Sequence, residues 1–327
     1  MNRILVTGGA GYIGSHTCKL LAQQGCEIAI LDNLSRGHRG LVKWGRLIEG
    51  DIRDGTLVRQ SLLDFRPDAV IHFAAFAYVG ESATDPGLYY DNNVNGTLSL
   101  LAAMRDTGVG RIVVSSTCAV YGQPERMPIT EDMRLDPINP YGSSKATMER
   151  ICRDFGSAHG IRSVALRYFN AAGCDADGEI GERHDPEPHL IPRALMALDR
   201  EIEALDVFGT DYPTPDGTCI RDYVHVSDLA AAHAMAARHL IGGGGSDACN
   251  LGTGRGVSVR EVLDAVARVA GKPVPHRLAP RRAGDPAVLV ADAGRARTVL
   301  GWTAGHSDID TIIRTAWAWH RQERGKR

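Results

Sequence analysis

From the start of the chain to about Arg167, short apolar runs alternate with stretches whose apolar residues recur at helical spacing. The runs are Ile4–Val6, Glu27–Leu31, Ala69–Phe73, Arg111–Ser115 and Ser163–Leu166, and the stretches between them include Gly14–Gln24 and Gly96–Thr107. Apolar β-rich runs separated by amphipathic helices predict βαβ units, hence a parallel sheet with helices on both faces: a doubly wound α/β fold. After Asn170 the alternation breaks down into a Gly/Asp/Pro-rich stretch (Gly173–Pro188), a helix-like segment (Leu190–Arg200) and a second loop (Gly209–Gly217). That change predicts a smaller lobe over the sheet edge. Beyond it, an amphipathic helix (Ser227–Leu240), a flexible turn at Gly242–Gly245 and a short strand (Ala248–Leu251) return to the first pattern. The expected boundaries are therefore 1–170, with 221–250 coming back to it, and a second lobe from 171–220 and 251–327.

Composition narrows the class without changing this outline. With 43% hydrophobic residues, 23% charged and a formal net charge of -2, the chain lacks the basic excess of a nucleic-acid binder. The seven cysteines (Cys18, Cys26, Cys118, Cys152, Cys174, Cys219, Cys249) contain no Cys-x-x-Cys pair, so neither a disulfide framework nor a zinc site is expected from them. They read as reduced thiols of a cytoplasmic protein. No apolar stretch approaches about 18 residues and no signal-like segment precedes Arg3–Val6, so a membrane is not an expected partner. Histidines such as His225 and His233 read as packed or surface residues, and no metal-ligand spacing is evident.

The first chemistry lies just after the first run. Gly8, Gly11 and Gly14 form Gly-x-x-Gly-x-x-Gly between a strand and a helix, the context that separates a dinucleotide fingerprint from chance glycines. Such glycines make the tight turn, let the backbone approach a pyrophosphate and let helix and strand pack closely, while the helix N-terminus receives the negative charge. Asp32 ends the second run, 18 residues past Gly14, where a carboxylate accepts hydrogen bonds from ribose hydroxyls and repels a 2′-phosphate. NAD is favoured over NADP on that ground; Arg36 and Arg39, just beyond, are the residues that could hold a 2′-phosphate.

Tyr141 and Lys145 stand four apart in Pro-Tyr-Gly-Ser-Ser-Lys, at the start of a segment helical to about Asp154, so both project from one face. A phenol of pKa about 10 is a poor base at neutral pH; an adjacent ammonium and a positively charged nicotinamide stabilise its phenolate. Ser115-Ser116-Thr117 follows the fourth run, at the carboxyl end of a parallel strand where open α/β sheets bind ligands. Thr117 there can hydrogen-bond a reacting hydroxyl.

With these motifs together, the chain resembles the UDP-glucose 4-epimerase family of extended short-chain dehydrogenases. The resemblance is carried by Val6-Thr-Gly-Gly-Ala-Gly-Tyr-Ile-Gly14, Gly50-Asp-Ile52, His72-Phe-Ala-Ala75, Gly80-Glu-Ser82, Tyr89-Tyr-Asp-Asn-Asn-Val-Asn-Gly-Thr97 and Arg167-Tyr-Phe-Asn170. It continues through Gly209–Thr218, Arg221-Asp-Tyr-Val-His225, Asn250-Leu-Gly252 and Pro280–Asp285, and so covers nearly the whole chain. It implies a Rossmann domain carrying NAD, a nucleotide-sugar-binding lobe, and a triad of Thr117, Tyr141 and Lys145. Tyr12, Ile13, Asn33, Asp51, Ile52, Phe73, Ala74, Ala75, Asn92 and Ser115 would complete the NAD site, with Tyr168 near the nicotinamide. For the UDP-sugar it implies Asn170, His189, Leu190, Phe208, Arg221, Arg282, Asp285 and Leu289. Arginine suits a diphosphate independently of the resemblance, through bidentate contacts to phosphate oxygens; the alternative use of Arg221 and Arg282 is a salt bridge with Asp222 or Asp285.

The implied reaction is hydride removal from C4 of the sugar to bound NAD, with Tyr141 taking the hydroxyl proton, and return of the hydride to the other face of a 4-keto intermediate. A 4,6-dehydratase on the same scaffold is disfavoured because Thr117 is followed by Cys118-Ala119, which cannot supply the acid and base that elimination needs. A non-catalytic NAD-binding scaffold is disfavoured by the intact triad. Ala77 and His189 depart from a lysine and an asparagine common in the family, which leaves UDP-arabinose/UDP-xylose interconversion open, and Leu289 leaves N-acetylated UDP-hexosamines open. The resemblance also implies a homodimer through helices of the first lobe, with Gly96–Thr107 one candidate face.

Overall fold

The computed structural model describes residues 1–282 and 284–325; Ala283, within the Pro280–Asp285 motif, lies outside the described residues. The chain runs β1 (Arg3–Thr7), α1 (Tyr12–Gln23), β2 (Glu27–Asp32), β3 (Arg46–Glu49), α2 (Gly55–Phe65) and β4 (Ala69–His72). Short helices α3 (Val79–Thr84) and α4 (Pro86–Tyr89) and a wide π-type turn (Tyr90–Asn95) lead into α5 (Gly96–Thr107), β5 (Arg111–Thr117), α6 (Pro140–His159) and β6 (Arg162–Tyr168). The second half comprises β7 (Asn170–Ala172), α7 (Leu190–Leu198), β8 (Leu205–Phe208), β9 (Ile220–Arg221), β10 (Tyr223–His225), α8 (Val226–Ile241) and β11 (Asp247–Leu251). It ends with β12 (Val257–Ser258), α9 (Val259–Ala270), β13 (His276–Ala279), β14 (Val288–Leu289), α10 (Gly294–Leu300) and α11 (Ile309–Arg324).

Seven of these strands form one parallel sheet in the order β11-β6-β5-β4-β1-β2-β3. Its central strands are buried on both faces, which is why they read as unbroken apolar runs rather than alternating ones. Cys18 and Leu21 of α1 and Leu229, Ala232 and Ala236 of α8 cover one face. Val58, Leu62 and Phe65 of α2, Leu100 and Met104 of α5, and Met148 and Cys152 of α6 cover the other. The architecture is a doubly wound sheet of the Rossmann type. Strand order reverses between β1 and β4, so a crevice opens at their carboxyl ends, the usual ligand position in such sheets. Tyr12–Gln23 begins two residues before the helix expected from Gly14, and α6 runs five residues past Asp154. Gly242–Gly245 is a hydrogen-bonded turn closing α8, with Gly243 N–H on Leu240 O and Gly244 N–H on His239 O.

Over the sheet edge, α7, α9 and α11 share a core with β8 and the β8–β13 pair: Ile191, Leu195, Val207, Val262, Val266, Ile312 and Trp319 are buried together. A three-stranded β12-β9-β14 sheet brings Arg221 alongside Leu289. No helix among the described residues is long and apolar enough to cross a membrane.

Four histidines are sealed into this fold, and they give it a pH dependence. Burial pulls His16, His225 and His233 down to about 4 and His72 to about 3. His72 bridges β1 to α5 through Thr7 Oγ1 (2.6 Å) and Thr97 Oγ1 (3.0 Å), and His225 accepts from Ser227 N–H (3.1 Å). Each stays neutral when folded but titrates near 6.5 when unfolded, so the unfolded chain binds more protons below that pH and stability falls as pH drops. The limiting slope is about 1.4 kcal/mol per pH unit per histidine. Thermal melts between about pH 6.5 and pH 5 should show a steady fall in Tm, and a flat Tm across that window would contradict this reading.

Candidate active site

The first half of the site is built by the turn after β1. Gly8 has φ +74°, and a Cβ there would sit 2.5 Å from Ala74 N, so the turn presses against the segment leaving β4. A Cβ on Gly14 would stand 2.9 Å from Gly9 Cα and closer still to Gly8 O. α1 starts at Tyr12 without a side-chain cap, leaving its first N–H groups for a ligand. These features fit a dinucleotide pyrophosphate. Gly14→Ala should therefore push helix and turn apart and lower NAD affinity by about tenfold or more; cofactor content of the purified variant measures it.

Asp32, the last residue of β2, stands beside this turn. Its buried carboxylate accepts Ala10 N–H at 2.9 Å and Leu34 N–H at 2.8 Å, and burial raises its pKa against these two hydrogen bonds. Arg36 is paired with Glu81 and lies over Phe76 and Tyr78, each at 5.3 Å, and Arg39 is paired with Glu49. Both arginines are thus already paired with carboxylates. Asn33 and Ile52 line the same cleft, and the neighbouring Asp51 carboxylate takes hydrogen bonds from Asn33 Nδ2 (2.9 Å) and Arg53 (Nε 2.9 Å, Nη2 2.7 Å). The Arg53 guanidinium holds Asp51 well below the usual carboxylate range.

At the other end of the crevice stand Thr117 on β5 and Tyr141 and Lys145 on α6. Asn139 caps α6 through Gly142 N–H (2.8 Å), Pro140 supplies the first turn, and a Cβ on Gly142 would lie 2.5 Å from Ala119 O, so the helix start is packed hard against the turn that follows β5. All three side chains are buried. Lys145 Nζ donates to Ser115 O at 2.9 Å; burial lowers its pKa to about 7 while the Glu149 charge opposes. Burial pushes the Tyr141 phenol up, with the Thr117 hydroxyl working the other way. Tyr168, hydrogen-bonded to Ser115, is pushed up to about 12 by burial.

One cleft of about 1230 Å³ holds this end, the glycine turn, Phe73–Ala75 and Asn92, and continues into the second lobe past Asn170, His189, Leu190, Phe208, Arg221, Arg282, Asp285 and Leu289. Arg221 donates to Ile220 O (2.7 Å) and pairs with Asp285; Arg282 lies 4.1 Å over the Phe208 ring. Asp222 instead receives Thr253 N–H (2.8 Å) and Gly254 N–H (3.0 Å), so it does not compete for Arg221.

Residue-type reasoning passed over the supports of this site. Asn93, fully buried, receives Phe76 N–H (2.8 Å) and donates to Ser144 Oγ (3.0 Å), tying the segment after β4 to α6. It also passed over Glu182, His184 and Glu187, which join His189 in one group. Burial lowers His184 and His189, but the two glutamates more than reverse this, to about 9 and about 10. Their spacing, Glu-x-His-x-x-Glu-x-His, was the available signal.

A doubly wound sheet whose crevice runs from a glycine turn to a Thr–Tyr–Lys cluster, with a second compartment lined by arginine, defines an NAD-dependent enzyme of the short-chain dehydrogenase type. Residues 4–252 match the NAD dependent epimerase/dehydratase family, and the chain belongs to it. A UDP-glucose 4-epimerase of Rhizobium meliloti (strain 1021) is 52% identical over 319 residues, which span 98% of this chain and 97% of that protein. Among solved structures, UDP-glucose 4-epimerase from Brucella ovis in complex with NAD is 55% identical at a TM-score of 0.96, covering 97% of this chain and 98% of that one. UDP-glucose-4-epimerase from Stenotrophomonas maltophila, with bound NAD and formylated UDP-arabinopyranose, is 39% identical at a TM-score of 0.97 over 100% of both chains.

Proposed function

We propose that this chain interconverts UDP-galactose and UDP-glucose as an NAD-dependent 4-epimerase. The observation that carries the proposal is the single cleft in which Thr117, Tyr141 and Lys145 stand between a dinucleotide cradle and the Arg221/Arg282 compartment. Residues 1–170 with 221–250 hold the cofactor, and 171–220 with 251–327 hold the UDP half of the substrate. Gly8, Gly11, Tyr12, Ile13 and Gly14 receive the pyrophosphate, Asp32 and Asn33 the ribose side, and Ser115 and Tyr168 the nicotinamide side.

Tyr141 takes the proton of the sugar 4-hydroxyl, which Thr117 orients. NAD, which Gly8, Gly11, Gly14, Asp32 and Lys145 would hold, would supply the redox chemistry at the sugar C4, and the positive charge of its oxidised form would favour the Tyr141 phenolate. Burial alone keeps the phenol protonated, so Lys145 must face it as an ammonium. Arg221 and Arg282 grip the diphosphate while Asn170, His189 and Leu289 touch the sugar side. A firm hold on UDP and a loose one on the sugar suit an intermediate that must present its other face. We also propose a homodimer through α5, on which Leu98 is exposed, and a cytoplasmic setting that suits its free cysteines.

Incubation of purified protein with UDP-galactose, without added reductant, should yield UDP-glucose at a fixed equilibrium ratio and no net NADH. UDP-arabinose and UDP-N-acetylgalactosamine run alongside rank the sugars. Absence of conversion of all three by protein that contains NAD would overturn the proposal.

A further inference from the structure

We propose that Glu182, His184, Glu187 and His189 form a binding site for a divalent transition metal, of the Zn2+ class, on the wall of the cleft. One ligand atom from each of the four lies within 4.8 Å of every other. The nitrogen-to-oxygen spacings are closer to a coordination polyhedron than that limit suggests. His184 Nδ1 is 3.3 Å from Glu182 and 3.4 Å from Glu187, and His189 Nδ1 is 3.0 Å from Glu182 and 2.7 Å from Glu187. Ligand atoms about 2.0–2.1 Å from a tetrahedral ion stand about 3.3 Å from one another, so small rotations of the two rings and two carboxylates admit the ion.

Three further features favour a metal over a purely internal ion-pair cluster. His184 Nδ1 is buried and has no hydrogen bond of proper geometry, although two carboxylates surround it. Both carboxylates are nearly shut off from water, at 6% and 10% side-chain exposure, whereas the His189 ring is 43% exposed and opens to the cleft, leaving a way in for an ion. The group is also held in place: Glu182 receives a hydrogen bond on its main-chain O from Trp319 Nε1 (3.0 Å) outside the group, and within it Glu187 Oε1 receives His189 N–H (2.9 Å). Tyr78 and Tyr12 stand edge-on to the His184 ring at 5.8 and 6.1 Å. Such orientation by outer groups is what a metal site requires.

The donor set selects the ion. Two imidazole nitrogens and two carboxylate oxygens suit Zn2+ or Co2+, while Mg2+ and Ca2+ prefer oxygen alone, and two carboxylates match a dication in charge. The neighbouring acidic group of Asp175, Asp177 and Glu179 differs in kind: it is already filled by the Lys19 ammonium at 2.7–2.8 Å from each.

The test uses the full-length, NAD-containing protein without a histidine tag, stripped with chelator and titrated with Co2+. One equivalent per chain should bind with the intense visible bands of low-coordinate Co2+, and one equivalent of Zn2+ should abolish them. His184→Gln and Glu187→Gln should each weaken binding by at least about tenfold, the lower bound set by outer-sphere losses, while Asp177→Asn should leave it unchanged. Absence of stoichiometric binding by the unaltered chain, pale six-coordinate Co2+, or binding that survives both His184→Gln and Glu187→Gln in folded protein would overturn the proposal.

Discussion

Replacing Tyr141 with phenylalanine should lower kcat by about 10²–10⁴-fold, the range a positioned general base contributes, while NAD content and UDP binding stay close to the parent's. The ring remains, so its edge contact with Tyr89, at 6.4 Å and 80° between planes, persists and the fold should not suffer. Only the oxygen that receives the 4-hydroxyl proton is removed. Burial raises the phenol, so the chain by itself disfavours the phenolate. The Lys145 ammonium must offset that, yet burial lowers Lys145 to about 7. Below that value the ammonium is present; as pH rises through it the charge is lost, and the phenolate loses a stabilising partner. Steady-state rates on UDP-galactose, paired with cofactor content, separate loss of chemistry from loss of binding. A variant with near-normal kcat would remove Tyr141 as the base.

What could be read along the chain follows from where each element sits. β1, β2, β4, β5 and β6 lie inside a parallel sheet, buried on both faces, so each announces itself as an apolar run. β3 lies at the edge, with Leu47 and Ile48 flanked by Arg46 and Glu49, and offers no such run. The same holds for β13, His276–Ala279, whose only strand neighbour among the described residues is β8. α9 is a different case: its signal was present, a Ser258–Glu261 capping box ahead of Val259, Val262, Leu263 and Val266 on one face, but it lies beyond the last alternation that frames the sheet.

The site divides along similar lines. Groups on strand ends and helix starts, such as Thr117, Tyr141, Lys145 and Asp32, occupy positions the βαβ pattern locates directly. Arg221 and Leu289 become neighbours only through pairing of β9 with β14, which no local period encodes. The Asp51 carboxylate is oriented by Asn33 and Arg53, contacts that no local period encodes either. The glutamate and histidine group between Glu182 and His189 sits in a loop with neither helical nor strand period, so its close spacing is visible in the sequence while the convergence of its ligand atoms is not.

Arg167→Leu should cost about 3–5 kcal/mol, because it strands a buried charge. Glu149, on α6 one turn beyond Lys145, is enclosed with Arg167 of β6. Its carboxylate takes Arg167 Nε at 2.9 Å, Arg167 Nη2 at 2.6 Å and Ser116 Oγ at 2.5 Å. The other arm of the guanidinium donates to Tyr121 OH at 2.8 Å, which donates in turn to Asn250 Oδ1 at 2.7 Å. Removing Arg167 takes away both of the short guanidinium contacts and leaves the buried Glu149 carboxylate with Ser116 Oγ and the more distant, half-exposed Arg153 at 3.8 Å. With an unfolding entropy of about 2.1 cal/mol/K per residue, each kcal/mol is worth about 1.5 °C in a chain of this length, and Tm should fall by about 4–7 °C. Removing both charges, as Arg167→Leu with Glu149→Leu, should recover most of that loss. The double variant should still differ from the parent in catalysis. Glu149 opposes the lowering of Lys145 by burial, so without it Lys145 loses its proton at lower pH and the alkaline limb of kcat moves to lower pH. An unchanged Tm in the single variant would show that water reaches Glu149; an unchanged limb in the stable double variant would show that the pair supports the fold and leaves Lys145 untouched.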